Sequence, residues 1–159
     1  MSAAASLPAP LRTASVTRAA RRHCVQRGWA PLLEFALPAA LRADIMAVKP
    51  DGCFAIIEVK SCARDFQADA KWEFYRDWCD ELHFAVDLDF PQALIPPEVG
   101  LIVCDGFEAH QLREAATHPL AGARRKSLLL RFARAAAGRL AWHEDPEGAQ
   151  EARAALLLE

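Results

Sequence analysis

Apolar residues fall in two short runs, at 45–48 and 54–57, separated by Lys49-Pro50-Asp51-Gly52-Cys53 and flanked on their outer sides by charged positions. The pattern predicts two strands joined by a tight turn over residues 42–60. Pro50 pre-sets the first turn residue, Asp51 suits the second and Gly52 takes the left-handed third, giving a three-residue loop with a G1-type bulge. With Lys49 facing Cys53 across that loop, Asp44 comes to lie beside Glu58 and Arg42 beside Lys60, all on one face. A slip of one residue would turn Asp44 to the opposite face, because side chains alternate along a strand. Away from the charged end both faces are apolar, with Met46, Val48, Phe54 and Ile56 on one and Ile45, Ala47, Ala55, Ile57 and Val59 on the other. A sheet covered by helices on both sides follows.

Around this hairpin the pattern predicts an α/β domain with a mixed central sheet. Thr13 or Ser15 caps a basic amphipathic helix over 16–27, with Gly28 as its stop and Val16, Ala20 and Cys24 facing inward. Residues 32–37 read as a strand ended by Pro38, and Glu34 within it is the one acid before Asp44. Phe66, Ala70, Phe74 and Trp78 recur at four-residue spacing and predict a long helix over 66–81. Strands at 82–86 and 99–104 follow, the first reached by a parallel crossover because a helix intervenes. Asp105-Gly106 marks a hairpin into 107–112, and a last helix spans 123–140. This order describes one domain over 13–140. It is preceded by a mobile Ala/Pro-rich segment, 1–12, and followed by a tail of helical composition, 141–159.

Length (159 residues) and apolar content (53%) suffice for one ordinary core. The net charge of −2 hides an uneven distribution: five arginines and no acid lie from Arg12 to Arg27, and five arginines with Lys126 and no acid from Arg124 to Arg139. Solvated helix faces are the simpler reading of each. Two basic segments around an acidic middle also suit a polyanion crossing a carboxylate site. Five cysteines without C-x-x-C or zinc-finger spacing predict reduced thiols, and the five histidines show no metal spacing. No apolar run approaches the roughly 20 residues of a membrane span, so a cytoplasmic protein without a membrane partner is expected. Serine-hydrolase, P-loop and Rossmann motifs do not occur.

Ionisable groups gathered at the end of an apolar hairpin are costly unless paired or metal-bound. Direct cross-strand neighbours hold their Cβ atoms roughly 4.5–5.5 Å apart, close enough for two carboxylates to share a cation. Asp44 and Glu58 would bind Mg²⁺ through oxygen, with the Val59 carbonyl as a further ligand and water completing the set. Lys60, two residues beyond Glu58 on the same face, would orient the attacking water or stabilise charge on a phosphate. Residue types and spacing together match metal-assisted phosphodiester hydrolysis. A structural cluster in which Lys60 neutralises both acids is the plainer alternative.

Asp44, then Glu58-Val59-Lys60 after a hairpin, then a helix, resembles the PD-(D/E)XK nuclease signature on a restriction-endonuclease-like fold. The longer series Arg42-Ala43-Asp44, Glu58-Val59-Lys60-Ser61, Asp65-Phe66, Asp69, Lys71-Trp72, Tyr75, Cys79-Asp80, Phe84-Ala85-Val86, Val99-Gly100-Leu101-Ile102-Val103 and Ala123-Arg124-Arg125-Lys126 resembles the MmcB-like family of bacterial DNA-repair endonucleases. Ala43 stands where the signature has proline. The literal Pro50-Asp51 is a decoy: five strand steps put it on the order of 16 Å from Glu58 at ~3.3 Å per residue. The resemblance implies a Mg²⁺-dependent DNA endonuclease of repair, with Mn²⁺ able to substitute, and an auxiliary acid for which Glu34 is the candidate. Arg42, Lys71 and Tyr75 are candidates for the cleft, and Arg18, Arg22, Arg124, Arg125 and Lys126 for DNA contact. Some members of this fold dimerise to cut both strands, so a homodimer is left open. So is a non-catalytic DNA-binding or repair-scaffold protein on the same fold.

Overall fold

The Pro50-Asp51-Gly52 turn forms as its composition dictates. In the computed structural model, which describes residues 8–148, Gly52 takes φ of 82°, its N–H donates to the Lys49 carbonyl at 2.9 Å, and the Lys49 N–H donates to Cys53 O at 2.8 Å. Strands β2 (Arg42–Val48) and β3 (Phe54–Lys60) therefore pair antiparallel with Val48 opposite Phe54 and Ile45 opposite Ile57, the register the turn requires.

The hairpin is the middle of a six-stranded sheet whose strands lie in chain order. β1 (Ala30–Ala36) joins β2 antiparallel, while β4 (Glu81–Asp87) and β5 (Gly100–Cys104) continue from β3 in parallel. β6 (Ala109–Arg113) closes the edge antiparallel. The sheet is thus mixed, as the crossover argument requires, and it belongs to the first of two compact units, Met1–Pro119 and Leu120–Glu159.

Helix α1 (Ala9–Gln26) lies on the odd-numbered face of the hairpin. Val16, Ala19, Ala20 and Cys24, with Trp29 behind them, pack with Ile45, Ala47, Ala55, Ile57, Val59, Ala85 and Ile102. The alanines on both partners let helix and sheet approach closely. On the other face Phe66 and Trp72 set their rings 5.2 and 5.7 Å from Phe84. Helices on both faces are the observed arrangement. All five cysteines are free, and no helix among the described residues is long and apolar enough to cross a membrane.

Three sequence expectations are corrected. α1 starts at Ala9, inside the stretch expected to be mobile, because Pro10 in its first turn loses nothing by lacking an N–H. Thr13 and Ser15 are consequently not caps: Thr13 Oγ1 donates to Ala9 O within the helix, and Ser15 Oγ to Gly106 O. Residues 1–7 of that segment, and 149–159 of the tail, lie outside the described residues. The long helix over 66–81 is broken into α2 (Ala63–Ala68) and a 3₁₀ segment, Trp72–Trp78. Asp69 leaves the helical region at φ −87°, ψ 91°, and its carboxylate accepts the Lys71 N–H at 2.9 Å; such local side-chain bonds compete with a helix.

In the second unit, α3 (Gly122–Glu144) runs four residues past the predicted end at 140.

One close approach is specific to glycine. A Cβ on Gly100 would overlap the ring of His83, which is fully buried on the neighbouring strand. Gly100→Ala should therefore cost about 1–3 kcal/mol as an overpacking substitution, read as a lowered midpoint in denaturant unfolding. An unchanged midpoint would show that the ring can move aside.

Candidate functional site

The β2–β3 ladder ends at Ile45 and Ile57, one step short of the two acids. Beyond it the carboxylates replace the backbone bonds. The Asp44 N–H donates to Glu58 Oε1 at 3.1 Å, and the Val59 N–H donates to Asp44 Oδ2 at 2.8 Å. Each acid thus caps an amide on the opposite strand, so both side chains turn inward where the strands part. Glu58 is 4% exposed, and Asp44 is half-buried.

This placement is electrostatically expensive. Burial first, and then the Asp44 charge, push Glu58 up to about 8. Burial likewise raises Asp44, against the pull of the Val59 amide and the Lys60 charge. At neutral pH the pair therefore favours holding one proton, or some other positive charge, between two oxygen-rich groups.

Lys60 answers only part of that demand. Its Nζ lies 2.6 Å from Asp69 Oδ2, both side chains being largely buried. Burial would raise Asp69, but the ammonium and the amides of Lys71 and Trp72 outweigh it and hold Asp69 below the usual carboxylate range. The plain arrangement in which Lys60 neutralises Asp44 and Glu58 is thus not the one formed, although its charge still favours ionisation of both. Tyr75 completes the group. Its hydroxyl donates to Arg42 O at 2.8 Å, and burial, then the charges of Glu58, Asp44 and Asp69, raise its pKa.

Other candidates stand elsewhere. Arg42 pairs toward β1, its Nε 2.6 Å from Glu34 Oε2, and the β2–β3 ladder stops short of the Arg42–Lys60 position. Glu34 itself has φ of 50° and drops out of the register between Leu33–Ile45 and Phe35–Ala43. It is exposed, abreast of Asp44, and its charge raises the Asp44 pKa. Lys71 is exposed ahead of the 3₁₀ segment, not one helical turn from Tyr75. Arg18 and Arg22 are exposed on α1. Arg124, Arg125 and Lys126 lie in the first turns of α3, in the second unit. Asp69 was not foreseen as part of the group, because the aromatic spacing placed it inside a continuous helix.

Two carboxylates fit a hard divalent cation that keeps most of its water, which is how Mg²⁺ is commonly held. No group of three or more His, Cys, Asp or Glu side chains able to hold a metal forms among the described residues. The chemistry of the donor set is nonetheless suitable: anionic oxygens, buried, short of positive charge.

A family model described as DNA repair protein MmcB-like matches residues 3–147. Among solved structures, a protein of unknown function from Silicibacter pomeroyi is 43% identical, with 90% of this chain and 96% of that one covered and a TM-score of 0.80. No curated protein matches the chain.

The raised Glu58 pKa fixes a sign. A carboxyl with a folded value near 8 and an unfolded one near 4.5 binds more protons when folded across that window. Its favourable contribution is complete below the unfolded value and is lost as pH rises through the folded one. In chelator, stability should therefore fall between about pH 4.5 and 8. Glu58→Gln, which keeps an acceptor for the Asp44 N–H, should flatten that fall in urea midpoints. An equal slope in both proteins would assign the pH dependence to other groups.

Proposed function

This chain belongs to the MmcB-like DNA repair family, and we propose that it acts there as a metal-dependent DNA endonuclease, hydrolysing phosphodiester bonds at Asp44, Glu58 and Lys60. One observation carries the reading: a buried carboxylate and a half-buried one, fixed by exchanged amide bonds at the end of a hairpin, stand together with an excess of negative charge. An isolated pair of that kind would be selected against on stability alone.

Asp44 and Glu58 would hold Mg²⁺, or Mn²⁺ in its place. In a strand the N–H and C=O of one residue point the same way, so the Val59 carbonyl opens on the side of the Asp44 carboxylate that its amide bonds and can add a third oxygen. The cation would supply a water acidic enough to attack at neutral pH and polarise a phosphoryl oxygen. Lys60, kept in position by Asp69, would place its charge against the phosphate as negative charge builds there. Tyr75, tied to Arg42 O, would line the cleft. The exposed Arg18 and Arg22 of α1, and separately Arg124, Arg125 and Lys126 of α3, would contact backbone phosphates without reading bases. Glu34 stands as the auxiliary acid, opposite Asp44 and paired to Arg42. The cytoplasm is the proposed place of action.

A second reading, a DNA-binding or repair scaffold that has kept the fold, draws on the commitment of Lys60 to Asp69. It leaves the two acids without a catalytic partner. The two readings diverge in what the acids are needed for.

With Mg²⁺ or Mn²⁺ the purified protein should nick or cut some form of DNA, and EDTA should abolish this. Asp44→Ala, Glu58→Gln and Lys60→Ala should each lower the rate by at least about a hundredfold while circular dichroism stays native. Cleavage indifferent to all three substitutions would reject the site. DNA binding that needs no metal and survives Glu58→Gln, without any cleavage, would favour the scaffold.

A further inference from the structure

Helix α3 carries a second pattern besides its basic residues. Lys126, Leu130, Ala133, Ala137, Leu140 and Glu144 are spaced alternately four and three apart, the period of a coiled-coil seam. All six are exposed, Leu130 and Leu140 by 59% and 55%, and the neighbouring Leu129 by 41%. Leu128, the one buried residue of α3, lies on the opposite side, with the partly buried Phe132 and Ala135 near it. Of the five arginines only Arg134 borders the stripe at 100° per residue; Arg124, Arg125, Arg131 and Arg139 project from the remaining arc.

The stripe is complementary to itself in one orientation. Reversing the helix about Ala135 exchanges Lys126 with Glu144, Leu130 with Leu140, and Ala133 with Ala137. A second helix laid antiparallel would thus set leucine on leucine and alanine on alanine, with a lysine–glutamate pair at each end. A parallel partner would instead set lysine on lysine and glutamate on glutamate. The central alanines allow helix axes to approach to about 8 Å, and the seam from Lys126 to Glu144 is roughly 27 Å long at 1.5 Å per residue. We propose that α3 joins two copies of this chain as an antiparallel helix pair related by a two-fold axis near Ala135. Such an interface is isologous, so the same patch serves both partners, and charge at the ends selects the orientation. The proposal rests on α3 alone, and it gives Lys126 to Glu144 of the second copy, leaving Arg124 and Arg125 as the phosphate contacts of α3.

Sedimentation equilibrium of the full chain tests it. The native protein should associate reversibly to a dimer, and Leu130→Asp should leave it monomeric with unchanged helix content by circular dichroism. Lys126→Glu or Glu144→Lys alone should weaken association roughly tenfold, since each converts both end pairs to like charges. The double variant Lys126→Glu/Glu144→Lys should restore it. A native protein that stays monomeric to about 100 µM would overturn the proposal, this being far weaker than a specific interface. So would a dimer indifferent to Leu130→Asp, or one that the double swap fails to rescue.

Discussion

The exchange of amide and carboxylate between Asp44 and the Glu58-Val59 pair is the contact on which the candidate site depends. A hairpin ladder normally continues by carbonyls, and no charged group need enter it. Here the ladder stops at Ile45 and Ile57, and two acids complete it from within. Each acid satisfies an amide that would otherwise be buried without a partner, so neither can swing out to water at no cost. The backbone thereby holds together two charges that repel. Burial first, and that repulsion after it, raise Glu58 and the Tyr75 hydroxyl, while Lys60 lies close enough to favour both ionised carboxylates.

The strength of this constraint comes from the sheet around it. β3 is central, flanked by β2 and β4, and its apolar residues are buried on both faces. α1 covers one face, and the Phe66, Trp72 and Phe84 rings pack on the other. Water therefore screens the acids poorly, and interactions that would be worth little at a surface become decisive. The turn that sets their register is equally constrained, since Gly52 sits at φ of 82°. Replacement there by a residue with a side chain would strain the turn and loosen the register that brings the carboxylates abreast.

What the sequence made legible follows the same division. The hairpin register could be read because it depends on local rules, a Pro-Asp-Gly turn and two-residue alternation, that tertiary packing does not override. The succession of strands along the chain followed from the apolar runs, and the parallel step from β3 to β4 from the helical segment between them. The stretch after β3 could not be read in this way, because Phe66, Ala70, Phe74 and Trp78 carry a helical period that one aspartate interrupts. Asp69 spends its carboxylate on Lys60 and on the following amides, and periodicity does not register such a competition. The Arg42–Glu34 pair was missed for a related reason: Glu34 leaves the β1 register and meets Arg42 from the other side, a local irregularity with no signature in the pattern of apolar residues.

The charge carried by the Asp44, Glu58, Lys60 and Asp69 group bears on whether it is a site or a structural knot. Asp44, Glu58 and Asp69 bring three carboxylates, and Lys60 brings one ammonium, which it commits to Asp69 at 2.6 Å. A structural ion cluster would be expected to balance itself, because an uncompensated buried charge costs several kcal/mol. This one leaves the Asp44–Glu58 pair short of positive charge and shifts Glu58 to about 8, so that near neutrality the balance is restored by a proton or by a cation. A proton would make Glu58 a neutral side chain that hydrogen-bonds an amide, a task glutamine performs without any titration. On the proposed reading the carboxylate serves a partner that needs its charge, and Mg²⁺, which one or two carboxylates commonly hold, would suit the pair. The imbalance, more than the presence of an aspartate, a glutamate and a lysine, is what sets this corner of the sheet apart from a matched pair such as Lys49 with Glu81.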